Sequence, residues 1–200
     1  MGQITAFDLS ELKELYSIKN YVETGTGEAV SLQYALQFEF DNYYTIDIDE
    51  DLIQRAWIIY GGLDNVHLLC DLSKNALQEI VPKLSNDPTL FFLDAHFPGA
   101  DFHKISYEES LRTYMHDAFP LKDEVAIILS GRDISKDIFV IDDFSLYEGG
   151  DYDAAVWKYQ WLQEELGLQT DAAFLYEAFS HTHNIQKDMR HQGYLLVTPK

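Results

Sequence analysis

Basic residues are scarce in this chain. Lysine and arginine together number 14, against 34 aspartates and glutamates, and the formal net charge at pH 7 is −20. Such a surface repels phosphate backbones and anionic lipid headgroups. We therefore expect neither nucleic acid nor a membrane surface as a partner.

Cysteine and long apolar runs are nearly missing as well. The single cysteine, Cys70, cannot form an internal disulfide, and nothing in the composition indicates an oxidising compartment. No stretch approaches the roughly 20 apolar residues that span a bilayer. The N-terminal segment carries acidic residues where a secretory signal has basic ones, so we expect a cytoplasmic protein.

What the chain does have is a regular alternation of strand and helix patterns, without repeats, low-complexity segments or a linker. We therefore predict one domain over residues 1–200. The predicted strands are NYVET, YYTIDI, VHLLC, TLFFLD, IFVID, AAFLYEAF and YLLVTP. This alternation predicts an α/β fold with a Rossmann-like, doubly wound, seven-stranded and mostly parallel sheet. The last two strands have no helix between them, which predicts a C-terminal antiparallel β-hairpin.

The segments between the strands carry helical apolar spacing. The predicted helices are FDLSELKELYSI, EAVSLQYALQF, DEDLIQRAWIIYGG, SKNALQEIVPKL, PLKDEVAIILS and DAAVWKYQWLQEELG. Residues 95–119 carry a Pro-Gly pair and many polar aromatics, so we predict irregular structure there.

Two further groups of side chains are best interpreted as structural rather than functional. Trp57, Trp157 and Trp161 stand at helical spacings among apolar residues, which predicts core packing or the surface of a homo-oligomer. The sequence HTH places His181 and His183 on one side of an extended chain. We interpret that pair as a solvated strand end rather than as a metal site.

Acidic residues follow each of the first five predicted strands. They are Glu23, Asp47 with Asp49, Asp71, Asp94, and Asp142 with Asp143. Open α/β sheets bind ligands outside the carboxyl ends of their strands, near the point where the strand order reverses. We therefore predict that these acids border one binding site.

The segment VETGTGEAV reads as a strand, a glycine-rich turn and a helix. Gly25 and Gly27 allow a sharp turn and a close approach to a ligand. A dinucleotide fingerprint needs a third glycine where Val30 stands, and a phosphate-binding loop needs a lysine. Asp47, about twenty residues on, can accept both hydroxyls of a ribose. Asp71 can accept from an adenine amino group or cap the next helix, and both readings stay open.

With these motifs the chain resembles the class I S-adenosylmethionine-dependent methyltransferases. The resemblance rests on the order of VETGTGEAV, TIDID, LLCDL, FFLDAH and FVIDDF, followed by a closing hairpin. It implies S-adenosylmethionine as the cofactor. The residues it assigns are Glu23, Gly25 and Gly27 beside the methionine part, Asp47 on the ribose and Asp71 on the adenine edge. Ala29 stands where the family has a third loop glycine.

One branch of that family, the metal-dependent O-methyltransferases of sugar or catechol type, implies more. The resemblance assigns Asp94, Asp142 and Asp143 as ligands of Mg²⁺ or a similar hard cation, beside the acceptor hydroxyl. Asp94 and His96 would be the catalytic residues, with His96 as general base or further ligand; a loop histidine bonded to backbone is the alternative. The catechol type has lysine where Phe97 stands, and the sugar type has aspartate where His96 stands.

The acceptor pocket is expected between residues 97–119 and residues 144–153, since both segments follow strands that carry metal candidates. Their aromatic and acidic side chains suit a small hydroxylated acceptor, with a saccharide favoured and a phenol as the alternative. Two other functions remain open on the sequence. One is an NAD(P)-dependent oxidoreductase of Rossmann type, and the other is a non-catalytic module for nucleoside binding or assembly.

Overall fold

A seven-stranded sheet forms the centre of the structure, a computed structural model that describes residues 3–154 and 171–200. Its strands are β1 (Asn20–Thr24), β2 (Asn42–Asp47), β3 (Val66–Cys70), β4 (Thr89–Leu93), β5 (Ile138–Ile141), β6 (His183–Asp188) and β7 (Tyr194–Pro199). The spatial order is β3-β2-β1-β4-β5-β7-β6. The first five strands are parallel, and β7 pairs antiparallel with both β5 and β6. The predicted fold class, including the C-terminal hairpin, is confirmed.

Helices pack on both faces of this sheet. They are α1 (Leu9–Tyr16), α2 (Val30–Ala35), α3 (Glu50–Tyr60), α4 (Ser73–Ile80), α5 (Tyr107–Tyr114), α6 (Leu121–Gly131) and α7 (Ala173–Phe179). The predicted helix DAAVWKYQWLQEELG lies largely outside the described residues, and Trp157 and Trp161 lie outside them altogether. Among the described residues, no helix has both the length and the apolar character needed to cross a bilayer.

The sheet is the boundary between two apolar cores. Successive residues of a strand point to opposite faces, and β4 shows the consequence. Phe91 packs in the core on one face, against Phe139, while its neighbour Phe92 packs in the core on the other face. Each such ring is fully buried and stabilises the fold by about 2–3 kcal/mol. Strands buried on both faces explain why β4 and β5 are almost wholly apolar in sequence.

The register of the central strands brings their carboxyl ends to one edge. Thr24 of β1 pairs with Leu93 of β4, which in turn pairs with Ile141 of β5. The residues that follow these three therefore leave the sheet side by side. The strand order reverses between β1 and β4, which is where doubly wound sheets open a cleft.

The prediction of the first hairpin strand is wrong. The segment AAFLYEAF forms α7, because Leu175 and Phe179 stand four residues apart and are buried on one helical face. The true partner of β7 is β6, whose sequence HNIQKD is polar because it lies at the edge of the sheet. Polar edge strands lack the apolar alternation by which strands are recognised.

Three smaller predictions also need correction. The stretch predicted to be irregular contains α5, which Ser106 caps by accepting the N–H of Glu109 at 3.1 Å. His183 is buried rather than solvated, whereas His181 is exposed. Trp57 is 63% exposed on the outer face of α3, so it is not a core residue, and a role in oligomerisation stays a prediction.

Candidate active site

A cleft opens at the reversal point between β1 and β4. It encloses about 800 Å³ when its open mouth is included. Six of the residues predicted for the site line it: Gly25, Gly27, Asp47, Asp71, Asp94 and His96. Residues that the sequence places far apart therefore share one concave surface, as the carboxyl-end rule predicts.

The glycine turn after β1 forms one wall of the cleft. Gly25 has a φ of +85°, and a Cβ there would lie 2.5 Å from the carbonyl oxygen of Asp94. Gly27 has a φ of +52°, and its Cβ would lie 3.3 Å from the ring of Phe102. The first position requires glycine for both conformation and space. Because glycine is there, the β1 turn can press directly against the end of β4.

Asp47, at the end of β2, is fixed by this turn. Its Oδ2 accepts the backbone N–H of Gly27 at 2.9 Å, and its Oδ1 accepts the N–H of Asp49 at 2.9 Å. Burial raises the pKa of Asp47, and these backbone hydrogen bonds act in the opposite direction. Each carboxylate oxygen can accept a second hydrogen bond. The carboxylate is thus oriented by backbone and still able to receive hydroxyl groups of a ligand.

Asp71 lines the cleft and also organises the start of α4. Its Oδ1 accepts the N–H of Leu72 at 2.7 Å and the side-chain amide of Asn75 at 2.9 Å. The side chain is exposed at the cleft. The N-cap residue of α4 is Leu72 and no side chain caps the helix, so Asp71 braces the turn before α4 rather than capping it. The adenine contact stays a prediction that the position allows.

Glu23 lies below the cleft rather than on its wall. Its carboxyl group is fully buried and accepts the hydroxyl of Tyr21 at 2.6 Å and that of Thr45 at 2.5 Å. Burial raises the pKa of Glu23 to about 7. The structure does not bring this residue to the surface where the methionine part of a cofactor was predicted. Instead it links β1 to β2 beneath the glycine turn.

Asp94, after β4, lines the other side of the cleft together with His96, and the two acids after β5, Asp142 and Asp143, lie close to Asp94 but do not line the cleft. The backbone pairing continues one residue past each strand, with the Asp94 N–H donating to Thr24 and the Asp142 N–H donating to Leu93. Asp142 Oδ1 accepts the N–H of Asp143 at 2.7 Å, and Asp143 has a φ of +51°. This left-handed residue turns the chain so that two adjacent carboxylates point in different directions.

These carboxyl groups strongly perturb one another. Burial, with repulsion from Asp142 and Asp143, raises the pKa of Asp94 well above its usual range. Burial and repulsion from Asp142 do the same to the pKa of Asp143. The pKa of Asp142 is raised by burial to about 6. Asp94 and Asp142 lie close enough to hydrogen-bond when one of them holds a proton. A cation would take the place of such protons.

His96 joins this cluster. One ligand atom each from Asp94, His96 and Asp143 lies within 4.8 Å of the others. The distance from His96 Nδ1 to Asp143 Oδ2 is 3.9 Å, and the imidazole is only 3% exposed. Burial lowers the pKa of His96 to about 4, so the ring is neutral. The predicted set of Asp94, Asp142 and Asp143 therefore differs from the set that the structure groups, which has His96 in place of Asp142.

Three buried polar atoms of this cluster have no hydrogen-bond partner: His96 Nδ1, Asp142 Oδ2 and Asp143 Oδ1. A buried unpaired polar atom is unfavourable by about 1–3 kcal/mol, and more when it is charged. All three are electron-pair donors. Their chemistry fits a divalent cation, and two of the three residues, His96 and Asp143, also supply ligand atoms that lie within 4.8 Å of each other and of Asp94.

Comparisons with known proteins support the fold. No protein-family model matches the chain, and no curated protein matches it. A Staphylococcus aureus structure, named as a candidate caffeoyl-CoA O-methyltransferase, matches with TM-score 0.56 and 15% identity, covering 96% of this chain and 81% of that one. The Podospora anserina methyltransferase PaMTH1, bound to S-adenosylhomocysteine, matches with TM-score 0.55 and 16% identity, covering 95% and 75%.

A third structure is the O-methyltransferase from Bacillus cereus in complex with S-adenosylhomocysteine. It has a TM-score of 0.53 and 13% identity, and the match covers 96% of this chain and 79% of that one. The fold is that of the class I methyltransferases. At these identities the similarity establishes the fold, and the site has to be argued from this chain's own residues.

Two residues that contact the lining of the cleft were not predicted. Glu124 of α6 is buried, accepts hydrogen bonds from Ser73 and Thr24, and has its pKa raised by burial to about 7. Its signal was in the sequence, since it is a charged residue on the apolar stripe of its helix. Tyr147 follows β5, and its hydroxyl lies 3.3 Å from His96 Nε2. No local pattern could have revealed that contact.

A segment that follows β4 packs against the wall formed by the glycine turn. Phe102 packs against the glycine turn, and Lys104 forms ion pairs with Asp49 and Asp51 at the start of α3. The contact from Lys104 Nζ to Asp51 Oδ2 is 2.9 Å. Ion pairs between exposed side chains are screened by solvent and contribute little to stability. They connect the two walls of the cleft without rigidly closing it.

Proposed function

We propose that the protein is an S-adenosylmethionine-dependent, metal-assisted O-methyltransferase acting on a small hydroxylated molecule. The observation that supports this best is the shared cleft. A glycine turn with a ribose-competent carboxylate, Asp47, forms one wall, and a buried group of cation ligands around Asp94 forms the other. A methyl donor and an activated hydroxyl must meet in just such a space.

The cofactor wall suits an adenosyl ligand. S-adenosylmethionine supplies a methyl group on a positively charged sulfur. Gly25 and Gly27 leave room for the methionine part, Asp47 is placed to accept ribose hydroxyls, and Asp71 lies where an adenine edge would end. Two structures of similar fold are described as complexes with S-adenosylhomocysteine, the demethylated product of such a donor.

The acidic wall suits the acceptor. A divalent cation held by Asp94 and its neighbours would offset their charge and lower the pKa of an acceptor hydroxyl. The protein's contribution is orientation: the two walls fix the distance and direction between the donor and acceptor positions. His96 was predicted as a general base or a ligand. Its place among the acids favours the ligand role.

The remaining lining favours a polyhydroxylated acceptor such as a saccharide. The segment after β4 contributes the aromatic side chains Phe97 and Phe102 and the acids Asp101 and Asp117. Aromatic faces pack against the apolar faces of sugar rings, and carboxylates accept their hydroxyl hydrogens. No residue of the second predicted segment, 144–153, lines the cleft, although the hydroxyl of its Tyr147 lies 3.3 Å from His96 Nε2. The net charge of −20 supports our expectation of no nucleic-acid partner.

Calorimetric titration with S-adenosylhomocysteine tests this proposal. We expect micromolar binding to the wild-type protein and a loss of about tenfold or more in Asp47→Ala, which removes the ribose acceptor. Asp64→Ala, at an exposed turn after α3, is the matched control and should bind like wild type. Absence of binding heat in wild type, or binding of NADH instead, would contradict the proposal.

A further inference from the structure

The surroundings of His96 distinguish it from an ordinary buried histidine. His183 provides the comparison within the same chain. Its Nδ1 receives the Thr182 hydroxyl at 2.7 Å, and its Nε2 donates to the Asp137 carbonyl at 3.1 Å. Both ring nitrogens are therefore satisfied, as a structural histidine requires. The imidazole of His96 is also enclosed, at 3% exposed, yet its Nδ1 has no hydrogen-bond partner.

The other ring nitrogen of His96, Nε2, contacts a tyrosine hydroxyl on the side away from the acids. Nε2 lies 3.3 Å from the hydroxyl oxygen of Tyr147, a residue only 5% exposed. An Nε2–H donating to this oxygen leaves the Nδ1 lone pair directed at the acids. Metal-binding histidines commonly use their second nitrogen in this way, which fixes the tautomer and the ring orientation.

The Nδ1 side faces two carboxylates, those of Asp143 and Asp94. Asp143 Oδ2 is 3.9 Å away, and Asp143 Oδ1 is buried without a partner. Asp94 completes a triangle whose ligand atoms all lie within 4.8 Å of one another. Asp142 is not part of this triangle: its Oδ1 accepts the N–H of Asp143, and its carboxyl group lies within hydrogen-bonding reach of Asp94.

We propose that Asp94, His96 and Asp143 form a mixed nitrogen–oxygen metal site that selects a transition-metal divalent ion, such as Mn²⁺, Fe²⁺ or Co²⁺, over Mg²⁺. Mg²⁺ prefers oxygen ligands throughout, whereas an imidazole ligand favours the later first-row ions. Asp142 then supports Asp94 from outside the ligand set. The inference rests on the proposed function only for the role of the metal, because the binding itself requires no acceptor.

Metal binding to wild-type protein gives the first test. Equilibrium dialysis with Mg²⁺, Mn²⁺ and Co²⁺, without any cofactor, should show Mn²⁺ and Co²⁺ bound at least about tenfold more tightly than Mg²⁺. Pulsed electron paramagnetic resonance of the bound Mn²⁺ should detect a directly coordinated imidazole nitrogen. Equal or tighter Mg²⁺ binding, or a Mn²⁺ signal without nitrogen, would overturn the assignment. This readout needs no variant and so does not depend on whether one folds.

Substitutions sharpen the assignment. His96→Gln should weaken Co²⁺ binding by about tenfold or more and Mg²⁺ binding far less. Asp143→Asn should weaken binding of both ions, while Asp142→Asn, which can still accept the Asp143 N–H, should change either by less than about threefold. His181→Gln, at an exposed histidine, is the control. If Asp142→Asn lost more metal affinity than His96→Gln, the ligands would be the predicted Asp94, Asp142 and Asp143, and our assignment would be refuted.

The same proteins separate this inference from the proposed function. S-adenosylhomocysteine should bind to wild type and His96→Gln equally well in the presence of chelator, because the two walls use different residues. Cofactor binding without any divalent ion binding overturns the metal site alone. Selective Mn²⁺ binding without cofactor binding overturns the methyltransferase proposal and leaves the metal site standing.

Discussion

The two walls of the cleft differ in how their carboxylates are satisfied. On the β1–β2 wall, each oxygen of Asp47 accepts a backbone N–H. On the β4–β5 wall, Asp142 and Asp143 each keep a buried oxygen without a partner, and His96 keeps a bare nitrogen. The first wall is completed by the protein itself, and can bind neutral hydroxyls. The second is left incomplete, and a cation would complete it.

The largest loss of stability should come from a side chain placed at Gly25, where the glycine turn packs against the end of β4. Gly25→Ala would place a Cβ 2.5 Å from the Asp94 carbonyl oxygen at a φ of +85°. We expect a loss of about 2–4 kcal/mol in the free energy of unfolding and no cofactor binding. Gly62→Ala, where a Cβ meets nothing within 4 Å, should stay within about 1 kcal/mol of wild type. Urea denaturation measures both, and equal losses would contradict the account.

Matched aspartate-to-asparagine substitutions on the two walls should change the stability of the protein in opposite directions. In chelator at pH 8, Asp94→Asn removes a buried acid that its neighbours repel, so we expect stability to rise by about 1–2 kcal/mol. Asp47→Asn turns an acceptor into a donor facing a backbone N–H, so we expect a loss of about 1–2 kcal/mol. Thermal unfolding tests the pair, and a change of the same sign in both would remove the contrast.

The buried acid beneath the cofactor wall should make stability pH-dependent. The pKa of Glu23 is raised by burial from 4.5 to about 7. Below the lower value both states hold the proton; as pH rises towards 7 the unfolded state loses it first, so this group's contribution to stability falls. Glu23→Gln should therefore gain about 2 kcal/mol relative to wild type between pH 5 and pH 8. Urea titrations at both pH values check this, and a constant difference would refute it.

The smallest effect should come from the ion pairs that bridge the walls. Lys104→Gln removes contacts to Asp49 and Asp51 at an exposed site. We expect little change in the free energy of unfolding and a small loss of cofactor affinity that high salt reproduces in wild type. Calorimetry at two salt concentrations would detect this. A loss of affinity greater than tenfold would mean that the segment forms part of the binding site proper.

The sheet was largely predictable from sequence because its central strands are buried on both faces. NYVET matches β1 residue for residue, and Asp47, Asp71 and Asp94 line one cleft. VHLLC also matches β3, which lies at one edge of the sheet but keeps an apolar sequence. The prediction failed at the other edge of the sheet, where β6 is exposed and therefore polar. The same apolar residues that suggested a strand, Leu175 and Phe179, are one face of a short helix.

The ligand set was harder to predict for a different reason. Strand patterns place a backbone, but the direction of a side chain beyond the strand end depends on loop dihedrals. Asp143 takes a left-handed conformation, which separates it from Asp142 and turns it towards His96. The support from Tyr147 crosses 51 residues of sequence, and no local pattern encodes such a contact.

The central claim is that an adenosyl cofactor and a divalent ion occupy opposite walls of one cleft. A crystal structure with S-adenosylhomocysteine and Mn²⁺, read by anomalous scattering at the manganese edge, tests it most directly. The account predicts a manganese peak ligated by Asp94, His96 and Asp143, with the cofactor's ribose on Asp47. A peak remote from these residues, or a cofactor bound away from the glycine turn, would contradict it.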